Sequence, residues 1–409
     1  MNLIALRSRQ FQLYFAGAVA AVNGMWILRI VIGWLSWKIT GSASFVGTIA
    51  AVSLIPTVIF GPFFGVLVDR SNVLRAAFVT NISMTACVAA LLLLEVNDLL
   101  GRTALLAIAF AMGTITAGHH PVRLSLGPRL VKSEYVGSVI ALAALNFNLA
   151  RLLSPALGGV LIDRLGITAT TAIILGAFVP NLLVLSRLTP RAKRHQAEPE
   201  RFFQAMAGGA RYLWQRAELR LVILATAVFS VALRGVLDVL PIFADGVFGH
   251  GAIGLGELGS AVGAGALSAA LIKAFWMAPA SQSKGALSPS NRVVAFAGIG
   301  ALALLGTTDI WALALASVAV LGFAGTHLGV GMQAQIQSEL PDDMRGRVMS
   351  IWIVVGLGGS ALGAFGIGLF SDHFGMPVTA SVFAIASALA VAAIIAANPH
   401  KKTEGTGPP

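Results

Sequence analysis

Twelve apolar runs, each close to the length that crosses a bilayer, leave this chain little scope to fold in water. Spanning the hydrocarbon core takes about 20 apolar residues per helix. The runs lie at 11–37, 45–67, 75–96, 103–121, 136–162, 167–188, 219–243, 253–275, 293–308, 310–332, 347–370 and 376–397. The 293–308 run is short, and little more than Thr307-Thr308-Asp309 separates it from the next. Only 11% of the 409 residues are charged, against about 25% in a soluble domain. The fold class that follows is an all-α membrane protein with twelve transmembrane helices.

The net charge of +11 would suit a polyanion partner, but its placement argues for topology. With the N-terminus in the cytoplasm and the runs alternating, the outer loops hold Lys38, Arg102 and Arg164. Arg29, Arg151 and Arg234 fall inside spans, and the rest of the 28 Lys and Arg residues face inward. That asymmetry is the positive-inside pattern. It predicts a multi-pass protein of the cell's inner (plasma) membrane with both termini cytoplasmic, solvated by the lipid bilayer and with no nucleic-acid partner. The single cysteine, Cys87, lies inside the third span, so neither a disulfide nor a cysteine metal cluster is expected. The basic, then apolar N-terminus looks like a signal peptide, but eleven further spans follow, so it reads as an uncleaved first helix.

Internal repetition organises the spans. Gly65-Val66-Leu67-Val68-Asp69-Arg70 recurs as Gly159-Val160-Leu161-Ile162-Asp163-Arg164 and, more weakly, as Gly368-Leu369-Phe370-Ser371-Asp372-His373. Each copy closes an apolar run. The offset from the second copy to the third, 209 residues, also aligns Val139 with Val348 and Gly166 with Gly375. Such repetition points to a duplicated helix bundle, the construction of many secondary transporters. The expected parts are a six-helix half at 1–188, a cytoplasmic linker at 189–218, a second half at 219–397 and a tail at 398–409. In the linker, the cluster Arg191-Ala192-Lys193-Arg194 is followed by Phe203, Met206, Ala210, Leu213 and Ala217 at helical spacing among arginines, which predicts an amphipathic helix on the inner leaflet. The Pro279–Pro289 loop reads as flexible. With no soluble domain, P-loop, nucleophile elbow or metal-ligand cluster, an enzyme reading has no support.

Several motifs carry a family resemblance. Gly65-x3-Asp69-Arg70-x4-Arg75, between the second and third spans, resembles the signature loop of the major facilitator superfamily. Asn148-x-x-Arg151-x-x-Ser154-Pro155-x-x-Gly158-Gly159 resembles its efflux branch. Trp26-x-x-Arg29, the Thr40-Gly41-Ser42 turn and Pro341-x3-Arg345-Gly346-Arg347 resemble the secretion-effector subgroup of enterobactin and macrolide exporters. The resemblance implies two six-helix halves, alternating access and a cytoplasmic latch at the Asp69 loop. The residues fit such a latch. Gly65 would let two helices approach, and Asp69 could meet Arg345, Arg347 or the amide-rich start of the eleventh helix. Arg70 and Arg75 would bond neighbouring acceptors or anchor the inner face. The equivalent stretch after the eighth span, from Gly265 to Lys273, lacks the pattern. Asp163-Arg164 and Asp372-His373 lie on the outer side and read as helix-end caps and loop ion pairs.

Ionisable groups within the bilayer are costly and so are functional candidates. Asn23, Trp26 and Arg29 lie in the first span, Asn148 and Arg151 in the fifth and Arg234 in the seventh, as candidate substrate contacts. Asp238 and Glu257 are candidate proton carriers, with His119 and His120 as candidate relays. Arg234 and Asp238, at i,i+4, could equally neutralise each other, and Glu95 and Glu257 lie near the interface. His327 lies in the tenth span. The superfamily's arginine partway down helix four is missing, the nearest being Arg123. Pro56, Pro62, Pro155, Pro180 and Pro241 are expected to break helices at membrane depth, and Gly356, Gly358, Gly359, Gly363, Gly366 and Gly368 to allow sliding contacts. With 22 Phe against three Tyr, the lining is apolar. The resulting expectation is a monomeric, cofactor-free, proton-driven exporter of an amphiphilic small molecule, a drug such as a macrolide, or a siderophore. An organic-acid importer on the same scaffold and a non-transport membrane scaffold are the alternatives.

Overall fold

The computed structural model describes residues 4–190, 202–275 and 287–397, with side chains at all of these except 66, 69, 70, 202–205, 342 and 343. The expected flexible loop, the linker's basic cluster and the tail fall largely or wholly outside the described residues. Within them the long elements are helices: α1 (Arg9–Thr40), α2 (Ala43–Arg70), α3 (Val73–Val96), α4 (Arg102–Leu126), α5 (Val136–Leu185), α6 (Phe202–Gln215), α7 (Ala217–Phe229), α8 (Gly235–Leu237), α9 (Gly251–Phe275), α10 (Pro289–Thr307), α11 (Trp311–Glu339), α12 (Asp342–Phe374) and α13 (Met376–Ala396). Their ends follow local chemistry. Ser8 caps α1 by accepting from the Phe11 N–H, and Gly41 closes it in the left-handed region with φ 60°. Asn72 caps α3, and Ser288 with Pro289 opens α10. These are side-chain acceptors for orphan helix N–H groups and a residue free of Cβ strain at the C-terminus.

Eleven helical segments are long and apolar enough to cross a membrane. One of them carries two passes: α5 has 50 residues, roughly 75 Å of helix against a core of about 30 Å. It turns at Gly166, with φ 80° and ψ 171°, so the described helices supply twelve passes. Gly375, 209 residues on, turns α12 into α13 with φ 78° and ψ 157°. That backbone region is essentially closed to residues with a Cβ. The repeat seen in the sequence is therefore a repeated turn.

The prolines behave differently from expectation. Pro56 and Pro62 lie inside the continuous α2, and Pro155 and Pro180 inside α5. In a bundle, neighbouring groups take up backbone positions that proline frees. Beside Pro155, for instance, the Ala156 N–H donates to the Ser260 hydroxyl at 3.1 Å. Only around Pro241 is the seventh pass interrupted. It runs through a π-turn (Ser230–Arg234), α8, a non-helical step at Asp238 and Val239, and a second π-turn (Ile242–Val247). Pro241 offers no N–H to the Leu237 carbonyl and crowds it.

Two compact units emerge. The first comprises residues 1–41, 52–199 and 241–263. Here α1 packs on α5, with Gly17 against Asn181 and Gly24 against Ala177 and Ile174. Asn181 donates to the buried Asn81 of α3 at 2.7 Å. An apolar cluster of Phe11, Val73, Val122, Leu126, Val139 and Leu185 fills the end of this unit near the N-terminus. The start of α9 lies along α5, so that a Cβ on Gly159 would strike the Ala252 carbonyl at 2.5 Å and one on Gly256 the Pro155 carbonyl at 2.7 Å.

The second unit comprises residues 42–51, 200–240 and 264–409. In it α12 presents two small faces. Gly359 and Gly363 receive Ser230 and Val231 of the seventh pass, whereas Gly368 receives Ala43 and Gly47 at the start of α2. The expected glycine stripe is thus split between two partners, while Gly358 meets nothing within 4 Å. Such contacts leave no room for a methyl group, and overpacking of this kind costs about 1–3 kcal/mol. The linker helix α6 lies on α12, with Gly208 and Gly209 against Arg347.

Candidate substrate contacts and gating residues

In the first unit, α1 aims Trp26 and Arg29 along one side, one turn apart. The Arg29 guanidinium lies over the Trp26 ring, 5.7 Å from its centroid. Trp26 meets Phe147 of α5 edge to face at 5.6 Å and 66°. Arg123 of α4 covers Phe147 at 5.3 Å. Three helices thereby build a ladder of two aromatic rings capped at each end by a guanidinium. Cation–π contacts of this kind contribute about 0.5–2 kcal/mol, more as water is excluded. The Trp26 indole nitrogen is buried without a hydrogen-bond partner among the described residues, so the ladder also holds a donor. Asn23 and Asn148 are tied within the protein. Asn23 donates to the Val19 carbonyl at 2.7 Å and accepts from Ser154 at 2.7 Å, pinning α1 to α5. Asn148 donates to the Ala144 carbonyl at 2.8 Å. The Arg151 backbone lies under Gly263 of α9.

In the second unit, the π-turn that carries Arg234 borders a narrow recess with a cavity volume of about 20 Å³, room for about one water. Ser230 and Thr226 line it from the seventh pass, Met332 from α11 and Trp352 from α12. The Trp352 indole N–H is buried and has no hydrogen-bond partner among the described residues. A guanidinium, an indole N–H and hydroxyls around one recess offer several donors to acceptor oxygens. π-Turns recur at functional sites because they re-aim side chains. Asp238, at the break in this pass, accepts from Ser360 of α12 at 2.6 Å.

At the ends expected on the outer side, two carboxylates join elements far apart in sequence. Within the second unit, Asp372 at the end of α12 accepts from the Ser42 hydroxyl at 2.7 Å, the Ala43 N–H at 2.7 Å and the Ser44 N–H at 2.9 Å. It caps not its own helix but the N-terminus of α2, where the helix dipole favours an anion. Within the first unit, the Trp37 indole donates to Asp245 at 2.8 Å, and Gly246 lies against the same ring. Asp163, the repeat counterpart of Asp372, is exposed.

At the opposite ends, the expected latch is only partly described. The side chains of Asp69 and Arg70 lie outside the described residues. A Cβ on Gly65 meets nothing within 4 Å among the described residues, while its neighbour Phe64 lies against Gly118 of α4. Arg75 is exposed in the first turn of α3, and Arg345 is exposed on α12, while Arg347 lies against α6.

The candidate proton carriers are scattered. Glu257 and His120 are exposed, and His119 is half-buried with Nδ1 3.4 Å from the Thr80 hydroxyl. Glu95 accepts from Thr168 at 2.9 Å, binding the ends of α3 and α5's second pass. Among the described residues, no group of three or more His, Cys, Asp or Glu is placed to hold a metal.

Sequence reasoning missed Phe147, Trp352, Trp37 and Asp245, all of which read as ordinary members of apolar runs or loops. It placed Arg123 among the inward-facing basic residues, with no aromatic partner. A signal was present: Phe147 adjoins Asn148, and Arg123 lies close to the absent helix-four arginine.

The family profile of transmembrane secretion effectors matches residues 2–405. Enterobactin exporter EntS of Shigella boydii is 26% identical over 339 residues, which cover 81% of this chain and 74% of that protein. Macrolide efflux protein A of Streptococcus pyogenes is 23% identical over 241 residues, 58% of this chain and 60% of the relative, so the match spans less than two thirds of that relative's length. Among solved structures, a bacterial homologue of the human lysosomal transporter Spinster, inward-facing and occupied, superposes with a TM-score of 0.70 at 14% identity, covering 95% of this chain and 97% of the other. Nucleoside transporter NupG gives 0.68 at 12%, covering 97% and 99%; at these identities the likeness is one of fold. The chain is a multi-pass membrane protein and belongs to the transmembrane secretion effector family of major facilitator superfamily transporters.

Proposed function

We propose that this transporter is a proton-driven exporter of an amphiphilic organic molecule, a macrolide-like drug or a siderophore, that works by alternating access. The observation that carries the substrate class is the Arg29–Trp26–Phe147–Arg123 ladder. Its rings offer an aromatic face, and its guanidiniums offer charge to acidic or polar oxygens. Arg29 is exposed well inside a membrane span. A guanidinium at that depth faces a water-filled path rather than lipid. Arg234 and the Trp352 indole supply comparable donors in the second unit.

In this reading the chain lies in the inner membrane as a monomer with both termini cytoplasmic. Asp372 on the α2 N-terminus closes the outer side. Gly65, Asp69, Arg70, Arg75, Arg345 and Arg347 serve the inner side in the alternate state. Asp238, held by Ser360 at the broken seventh pass, is the candidate for coupling proton entry to helix movement.

The test is efflux of aromatic dyes, macrolides and catecholate siderophores from cells that express wild type or Trp26→Ala. Wild type is expected to lower retention, a protonophore to abolish that effect, and Trp26→Ala to cut kcat/KM by about 2- to 30-fold, the equivalent of about 0.5–2 kcal/mol. Accumulation of an organic acid, with no compound expelled, would replace export with import.

A further inference from the structure

One polar cluster of the second unit takes no part in the roles above. Lys273 comes from α9, Asn291 from α10, and Gly331 and His327 from α11. A methyl group built on Gly331 would lie 2.8 Å from Asn291 Oδ1 and 3.2 Å from both Asn291 Nδ2 and Lys273 Nζ. Amide and ammonium therefore meet over the one residue of α11 that leaves them room. His327 stands one turn away at i,i+4, on the same side of the helix. It is 3% exposed, with its ring stacked on Phe323 at 5.7 Å and 18°. Both of its ring nitrogens are buried without a hydrogen-bond partner among the described residues, and the Lys273 ammonium is close enough for its charge to act on the ring. Asn291 is likewise 3% exposed, its backbone N–H held by Ser288.

The composition of the cluster is specific. It contains a cation, an amide and an imidazole, in apolar surroundings. No carboxylate among the described residues pairs with Lys273, and the 276–286 segment that follows it contains no Asp or Glu. A half-buried cation with no acid beside it among the described residues, next to an imidazole with unmade bonds, is stabilised by a guest that is anionic and rich in acceptors. An ammonium, an amide and an imidazole supplied by three helices match a group with several acceptor oxygens on one centre better than they match a planar carboxylate.

We propose that Lys273, Asn291 and His327 form a binding site for a phosphate-type oxyanion, with Gly331 leaving room for the amide and the ammonium to meet. Free phosphate and the phosphate of an anionic lipid headgroup share this chemistry. The site lies on helices other than those carrying the aromatic ladder, and its occupancy does not depend on the direction of transport.

The experiment uses the full chain, delipidated in detergent, with inorganic phosphate as the probe and thermal melting as the readout. A second arm compares melting in nanodiscs of zwitterionic and of anionic lipid. Lys273→Met, His327→Phe and Gly331→Ala are compared with Arg292→Gln, whose guanidinium is held by the Leu287 carbonyl outside the cluster. Phosphate is expected to raise the wild-type Tm, and Lys273→Met and His327→Phe each to weaken its apparent Kd by at least about tenfold. Arg292→Gln should leave the response intact, and Lys273→Arg should restore part of it, which separates loss of binding from loss of fold. If only anionic lipid stabilises wild type, and the same variants abolish that, the site stands with the lipid headgroup as its source. No response to either source, or an equal response in Lys273→Met and His327→Phe, overturns it.

Discussion

At the end of the fifth pass, Gly166 takes φ 80° three residues after Asp163; at the end of the eleventh, Gly375 takes φ 78° three residues after Asp372. The backbone turn is the same, and so is the burial of the aligned Val139 and Val348, at 3% and 0% exposed. The acids differ. Both are exposed, but Asp372 receives three hydrogen bonds from the start of α2. The neighbours differ too: α12 ends over Ala43 and Gly47, where α2 opens through Ser42 and Ser44, while α5 lies over Ala252 and Gly256 of α9. That helix begins at a glycine-rich entry, with Gly249 and Gly251 at φ 68° and 60°. Duplication preserved the turn, which is a local matter, but the task of the carboxylate was set by the helix N-terminus it meets.

The largest effect that would test this comparison is at the shared turn. Gly166→Val and Gly375→Val should each destabilise by about 1–3 kcal/mol, since both force a β-branched residue into a glycine-only region. Comparable falls in Tm would confirm that the turns are equivalent; tolerance of either would break the pairing. Next is Asp372→Ala, expected to cost about 0.5–2 kcal/mol through loss of the α2 cap. In a Cys87→Ser background, Ser44→Cys should label faster with a maleimide once Asp372 is removed, and an unchanged rate would deny Asp372 its closing role. The smallest is Asp163→Ala, expected to stay within about 0.5 kcal/mol of wild type. A loss as large as that of Asp372→Ala would mean that the two acids do the same work after all.

Other outcomes follow the same division between local and distant causes. The spans, the Gly41 helix end and the α6 linker helix were legible because length, periodicity and capping chemistry act within a few residues of chain. The prolines were misread as breaks, since Pro56, Pro62, Pro155 and Pro180 are judged by backbone rules that neighbouring helices can satisfy. Gly65 was read as a close approach, yet the matching approaches occur at Gly363, Gly368 and Gly256, each decided by which helix lies opposite. Of the candidate substrate contacts, Trp26 and Arg29 meet within their own span, but nothing there announces that Trp26 meets Phe147 of α5. Asn23, by contrast, proved tied to Ser154, 131 positions away.

By itself the sequence determined the number of membrane passes, the repeated glycine turns and the expectation of basic inner loops. Each of these depends on hydrophobic length, backbone sterics or charge placement along the chain. The tertiary structure alone decided which polar groups meet: Arg123 with Phe147, Trp37 with Asp245, Asp372 with α2, and Lys273 with Asn291. Each such group takes whatever partner the rotation and packing of whole helices bring opposite it, the more firmly where water is excluded. That rotation is set by where small residues let backbones touch, a property of pairs of helices that neither helix carries alone.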